Sequence, residues 1–447
     1  MNRLRAYWWA VTGSLWFLPS LMVAGAILLA VGLVELDVVM QFELDQHWPR
    51  LFGAAPDGAR GMLTAIAGSM ITVAGVVFSV TIVALSLAAS QYSPRVLRTF
   101  ISDRPTQLVL GVFVAIFAYC LVVLRTIRGG DGTFVPSLAV LGGLILAMLG
   151  IAFLVYFIHH LADSIQASSI VARITSSTLG AIDQLFPENL GAPADEVEDE
   201  AEGQAHQPRM LLAARSTGYV IHVSNTGLLD FARERGRVVR MEVAIGDFVV
   251  EGQPLAYLHG SESVSEIDER ALNACYTFAA QRTIHQDATF GVQQIVDIGC
   301  KALSPGINDA STALLCIDRL TQLLIRVARR RIETPFRREE GRLRVIARGP
   351  SFESLSDLAY HAIRNDARGN WTVLSHILWS MEQVGSATAS PARRRVLAEQ
   401  VRRVAESAEL ATSSLEERRQ LVERAQRLQI ELRGPLGELQ SPLGEAG

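Results

Sequence analysis

Lysine is almost missing from this sequence: Lys301 is the one lysine, and every other basic side chain is arginine. A bias that complete reflects base composition more than a basic binding surface, and the net charge of −4 leaves no electrostatic footprint for nucleic acid. Cysteine is sparse as well. Cys120, Cys275, Cys300 and Cys316 form no CxxC pair, which excludes a disulfide framework and fits free thiols in a reducing compartment. HExxH, GxSxG, Walker A and dinucleotide-type glycine signatures are missing in any matching context, and the histidines lack clustered acid and nucleophile partners. No enzymatic activity, cofactor or metal is therefore expected. No acidic residue lies deep inside any apolar run, which argues against a proton-coupled pump.

What the sequence has in quantity is apolar surface, 49% of residues against 19% charged, concentrated before residue 161. A bilayer core about 30 Å thick needs roughly 20 apolar residues per helix. Four runs qualify, at 13–34, 62–89, 106–124 and 135–158. Backbone groups cannot stay unpaired in lipid, so each run must be helical. The first run exceeds a signal-peptide core and is expected to be retained. Arg3 and Arg5 precede it, and Arg95, Arg98 and Arg104 lie between the second and third runs. The 35–60 loop instead carries Asp37, Glu43, Asp45 and Asp57. This places both termini in the cytoplasm of a bacterial inner membrane, with Arg125 and Arg128 on the outer side, where Arg125 can snorkel to the headgroups. Trp8, Trp9, Trp16 and Trp48 suit the interfaces.

In the second run Thr72, Ser79 and Ser86 recur every seven residues, with Gly75 near the same face. Such a stripe either lines a permeation path, where hydroxyls replace part of an ion's hydration, or lets helices approach closely. Ala139, Gly143 and Ala147 repeat the small-residue spacing in the fourth run, where close packing is expected.

Past the membrane runs, apolar periodicity continues through 161–190 as an amphipathic stalk. His159 and Asp163 share a face there but are too few for a metal site. The segment 191–208 holds six acids and no base and reads as a linker. Between 209 and 260 short strands alternate with turns at Gly246-Asp247 and Glu251-Gly252. The stretch VAIGDFVVEGQPLAYL resembles the half-motif of biotinyl- and lipoyl-type barrel-sandwich domains, but a carrier role is excluded because the segment has no lysine. From 261 to 433 the chain is mainly helical, followed by a flexible tail at 434–447. Within it Asp297 and Lys301 have i,i+4 spacing, Ser304-Pro305-Gly306 ends a helix, and Asn308 or Asp309 can cap the next. These five residues, Asp297, Lys301, Ser304, Asn308 and Asp309, form either a helix break with its cap or a ligand site at a helix start.

The stretches VVFSVTIVALSLAASQYSPR (76–95) and KALSPGIND (301–309) resemble the two signature segments of the bacterial predicted-membrane-protein family catalogued as domain of unknown function 2254. The resemblance extends over nearly the whole chain and departs from the family pattern at Ala310, where proline is expected. It implies the architecture and no catalytic residues. The expectation is four transmembrane helices, then a cytosolic α+β domain with a small barrel-sandwich-like β segment and a helical C-terminal part. The partners are the bilayer, further copies of the chain, and a small ion or a cytosolic protein, but no nucleic acid. An oligomeric channel or transport protein is the first functional expectation, and a membrane-anchored sensor or scaffold the alternative.

Overall fold

A computed structural model describes residues 16–40, 55–92, 104–128, 134–185, 209–259, 265–330 except 285, 336–339, 342–411 and 414–434. The acidic linker at 191–208, the tail at 435–447, and Arg3, Arg5, Trp8, Trp9, Trp48, Arg95 and Arg98 lie outside the described residues. The chain divides into two compact units, residues 1–169 and 170–447.

The first unit holds four long apolar helices: α1 (Phe17–Met40), α2 (Pro56–Gln91), α3 (Arg104–Thr126) and α4 (Ser137–Ser164). Each is long and apolar enough to cross a membrane. Helix α3 packs against the other three and buries Val109, Phe113, Ile116, Tyr119 and Val123. Ala139, Gly143 and Ala147 of α4 are buried, and the space beside Gly143 is filled by the Leu63 side chain of α2. The small residues of α4 are thus contact positions. At one end of the bundle, polar groups close the helix termini that lipid would leave unpaired. The Asp37 carboxylate of α1 accepts from the first amides of α4, Leu138 N at 3.0 Å and Ala139 N at 3.3 Å. Arg60 of α2 donates to Ile127 O beyond α3 at 2.9 Å. Negative charge sits at a helix start and positive charge at a helix end, as the peptide dipoles require.

Helix α4 does not run on as one continuous stalk. It ends at Ser164, a turn occupies Ile165 and Gln166, and α5 (Ala167–Leu185) follows. The apolar face of α5, Ile170, Val171, Ile174 and Ile182, is buried, and its Asp183 is bonded to Arg326 and Arg330.

The second unit mixes strands and helices. Strands β1 (Arg209–Ala213), β2 (Gly218–Val223), β3 (Val238–Met241), β4 (Phe248–Val249), β5 (Pro254–His259), β6 (Tyr276–Ala279), β7 (Phe336–Glu339) and β8 (Arg342–Ile346) make two sheets. One has the order β1-β5-β3-β8-β7, the other β4-β2-β6. The turns expected at Gly246 and Gly252 are present, each with positive φ. The strand pattern did not lead one to expect helix α6 (Asn225–Glu234) between β2 and β3, strands β6 and β7, or the parallel pairing of β3 with β8, which brings Val239 beside Val345. Such pairing depends on partners remote in sequence. Phe231, Leu212, Val220, Leu255 and Leu258 fill the core between these elements.

Helices α7 (Glu266–Ala274), α8 (Ala288–Leu303), α9 (Ala310–Arg329), α10 (Phe352–Asp366), α11 (Trp371–Ser386), α12 (Pro391–Ala411) and α13 (Leu415–Arg433) complete the unit. Ile295, Leu320, Ile363, Ile377, Met381 and Val401 are fully buried in the helical core. A hydroxyl cluster inside it joins three helices, Thr321 to Ser380 at 2.5 Å and Tyr360 to Ser380 at 2.8 Å. Buried hydroxyls are tolerated because they satisfy one another.

Candidate functional site

The outward face of α2 is the first candidate. Its inward face presents Leu63, Ala67, Met70, Ala74 and Val77, all buried, in steps of four and three. Two residues earlier at each step, about 200° around the helix, a second series runs with the same spacing: Gly61, Ala65, Gly68, Thr72, Gly75, Ser79, Ile82 and Ser86. Every member is exposed on the outside of the unit. A side chain built at Gly61, Gly68 or Gly75 would meet nothing within 4 Å. Thr72 spends its hydroxyl on the Gly68 carbonyl of its own helix at 2.8 Å, whereas among the described residues Ser79 and Ser86 make no side-chain hydrogen bond. Thr72, Gly75, Ser79 and Ser86 therefore share one face, and the four-helix unit itself does not cover it. Large apolar side chains, Ile71, Val76, Phe78, Val83 and Leu87, make up much of the remaining exposed surface.

The 301–309 segment is the second candidate. Ser304 ends α8, its amide and hydroxyl both donating to Lys301 O, at 3.2 and 2.6 Å. The chain reverses as Ile307 N and Asn308 N donate to Ser304 O at 3.0 and 2.9 Å. Asn308 adopts φ +50°, the left-handed region that asparagine tolerates better than most residues. Asp309 then caps α9, accepting from Thr312 N at 3.1 Å and the Thr312 hydroxyl at 2.5 Å. Those bonds from Thr312 hold the Asp309 carboxyl below the ordinary aspartate range. Its carboxylate thus occupies first-turn amides that an external anion would need. Asp297 accepts from Gln293 at 2.7 Å. What the turn offers to a partner is the exposed side of Lys301, Pro305, Ile307 and Asn308.

Sequence reasoning missed a buried centre at the start of α8. Asp287, 3% exposed, accepts from Phe290 N at 2.9 Å as the helix cap and holds Arg282 through two bonds at 2.8 and 2.9 Å. Gly246 lies against both, where a side chain would stand 2.6 Å from each. The Asp287-Ala-Thr-Phe sequence carries the signal of a cap, but nothing local identifies Arg282 as its partner. The cysteines belong to the packing: burial pushes the Cys275 thiol up to about 11 and the Cys316 thiol up to about 12.

Residues 12–383 match the family described as predicted membrane protein, domain of unknown function 2254. The chain belongs to this family. The match takes in all four apolar helices, both sheets and the helices through most of α11. Similar proteins, described as uncharacterised, occur in two strains of Mycobacterium tuberculosis, CDC 1551 and H37Rv, and in Mycobacterium bovis. Each is 32% identical over 424 residues, which is 92% of this chain and 79% of the relative. No solved structure matches the chain.

Proposed function

We propose that the protein is a homo-oligomeric inner-membrane channel or transport protein for a small ion, with α2 of each copy at the subunit contact and the second unit acting as a cytosolic regulatory domain. The observation that carries this reading is the uncovered series on α2. Glycines give lipid chains little to pack against, and hydroxyls in hydrocarbon seek partners. Steps of four and three suit left-handed packing against a like helix, which draws backbones together at Gly61, Gly68 and Gly75. Around a symmetry axis the hydroxyls of Thr72, Ser79 and Ser86 then face a shared path. The arginines flanking the runs support the cytoplasmic placement of both termini.

The test is native mass spectrometry of the full chain in lipid nanodiscs, followed by ion flux in liposomes. The reading expects a closed oligomer that Gly68→Leu/Gly75→Leu dissociates, and flux that a thiol reagent blocks in Ser79→Cys. A monomer retires it. An intact oligomer without flux retires the channel and leaves the sensor or scaffold role, for which the exposed 301–309 turn offers a docking surface.

A further inference from the structure

The C-terminal hairpin of α12 and α13 lies beyond the residues matched by the family, and it holds a cavity of about 580 Å³ between the first turn of α12 and the last turn of α13. Its polar wall is Arg394, Arg395, Glu399 and Arg433. Two of these charges are already used. Arg394 donates to the terminal carbonyls of α13, Leu432 O at 3.2 Å and Glu431 O, and so neutralises the negative end of that helix. Glu399 is bonded to Arg402 and lies 3.4 Å from Arg403. Arg395 and Arg433 are left over: both are exposed, and among the described residues neither makes an ion pair or a side-chain hydrogen bond. The positive end of the α12 dipole opens on the same space.

We infer that this cavity binds a phosphate-bearing anion. The volume falls in the range of small-ligand sites, about 300–1,000 Å³. Two guanidinium groups offer the planar paired donors that suit phosphate oxygens, and the helix start, with no acid in its first turn, adds positive potential, while the Glu399 carboxylate in the wall is held by Arg402 and Arg403. A carboxylate would satisfy one arginine, whereas a diphosphate or a phosphorylated headgroup engages both. The inference does not depend on the pore reading, since the hairpin belongs to the second unit alone.

The probe is inorganic pyrophosphate, titrated calorimetrically at low ionic strength into the full chain held in nanodiscs of neutral lipid. A second arm uses native mass spectrometry of the protein in nanodiscs containing phosphatidylglycerol. The site predicts saturable binding in at least one arm, weakened at least tenfold in Arg395→Gln/Arg433→Gln and retained in Arg419→Gln/Arg427→Gln, which removes equal charge elsewhere on α13. Binding in the first arm identifies a soluble phosphate compound, and retention of lipid in the second identifies a headgroup. Absence of binding in both arms, or equal loss in the two double variants, overturns the site.

Discussion

Replacing Asp287 with alanine should loosen the second unit far more than the same change at Asp309, although both residues cap a helix. At Asp309 the loss is an N-cap on a partly exposed turn, about 1 kcal/mol. At Asp287 the same cap is lost, and Arg282, only a quarter exposed, is also left without the carboxylate that held it through two bonds. Breaking a buried pair costs about 3–5 kcal/mol, and the partial exposure of Arg282 sets the expectation at the lower end, about 3 kcal/mol. Cys316 reports the change. It is fully buried with its thiol pushed up to about 12, so it reacts only when the helical core opens. At 1.4 kcal/mol per tenfold, its labelling rate in the intact protein, read by peptide mass spectrometry, should rise about 100-fold in Asp287→Ala and about 5-fold in Asp309→Ala. Asp287→Asn, which keeps a capping acceptor and loses the charge, should lie between. Equal rates for the two alanine variants would refute the assignment of Asp287 as a buried charge centre.

Two further outcomes are expected. A methyl group at Gly291 would fall 1.9 Å from the Thr178 hydroxyl, so Gly291→Ala should destabilise the second unit by about 1–3 kcal/mol in thermal unfolding; Thr178→Ala should restore part of this, and strictly additive effects would contradict the contact. Asp183, bonded by Arg326, and Asp309, bonded by Thr312, both titrate below the usual aspartate value. A lowered folded-state value means their contribution is complete above the unfolded value and is lost as pH falls through the folded one. Stability should therefore hold from pH 7 to 5, fall below about pH 4, and fall less steeply in Asp183→Asn/Asp309→Asn; an unchanged acid profile in that variant would refute the linkage.

The four long apolar helices were legible because a run of that length and hydropathy, if it enters lipid, has no alternative to helix, so apolar length alone determines element type. Boundaries were less well determined. Helix α2 runs 36 residues, about 54 Å, because charged and polar turns at its ends extend the helix past the hydrophobic run. The break at Ser304 and the Asp309 cap were also readable, since proline, glycine and a capping carboxylate act within one turn of chain. The barrel-sandwich resemblance conveyed the turns at Gly246 and Gly252 but not the sheets. The β3 to β8 pairing and helix α6 between β2 and β3 are decided by packing over more than 100 residues of chain.

The sequence by itself determined which segments are long and apolar enough to cross a membrane, where most helices of the second unit run, and that Thr72, Gly75, Ser79 and Ser86 share a face. Periodicity records geometry within one element. Only the tertiary structure decided that this face points away from the other three helices, that Asp37 closes the start of a helix 101 residues later, that Asp287 holds Arg282, and that Arg395 and Arg433 meet at one cavity. Each depends on which surfaces remain after the cores have packed, and burial is a property of neighbours that no single stretch of chain encodes.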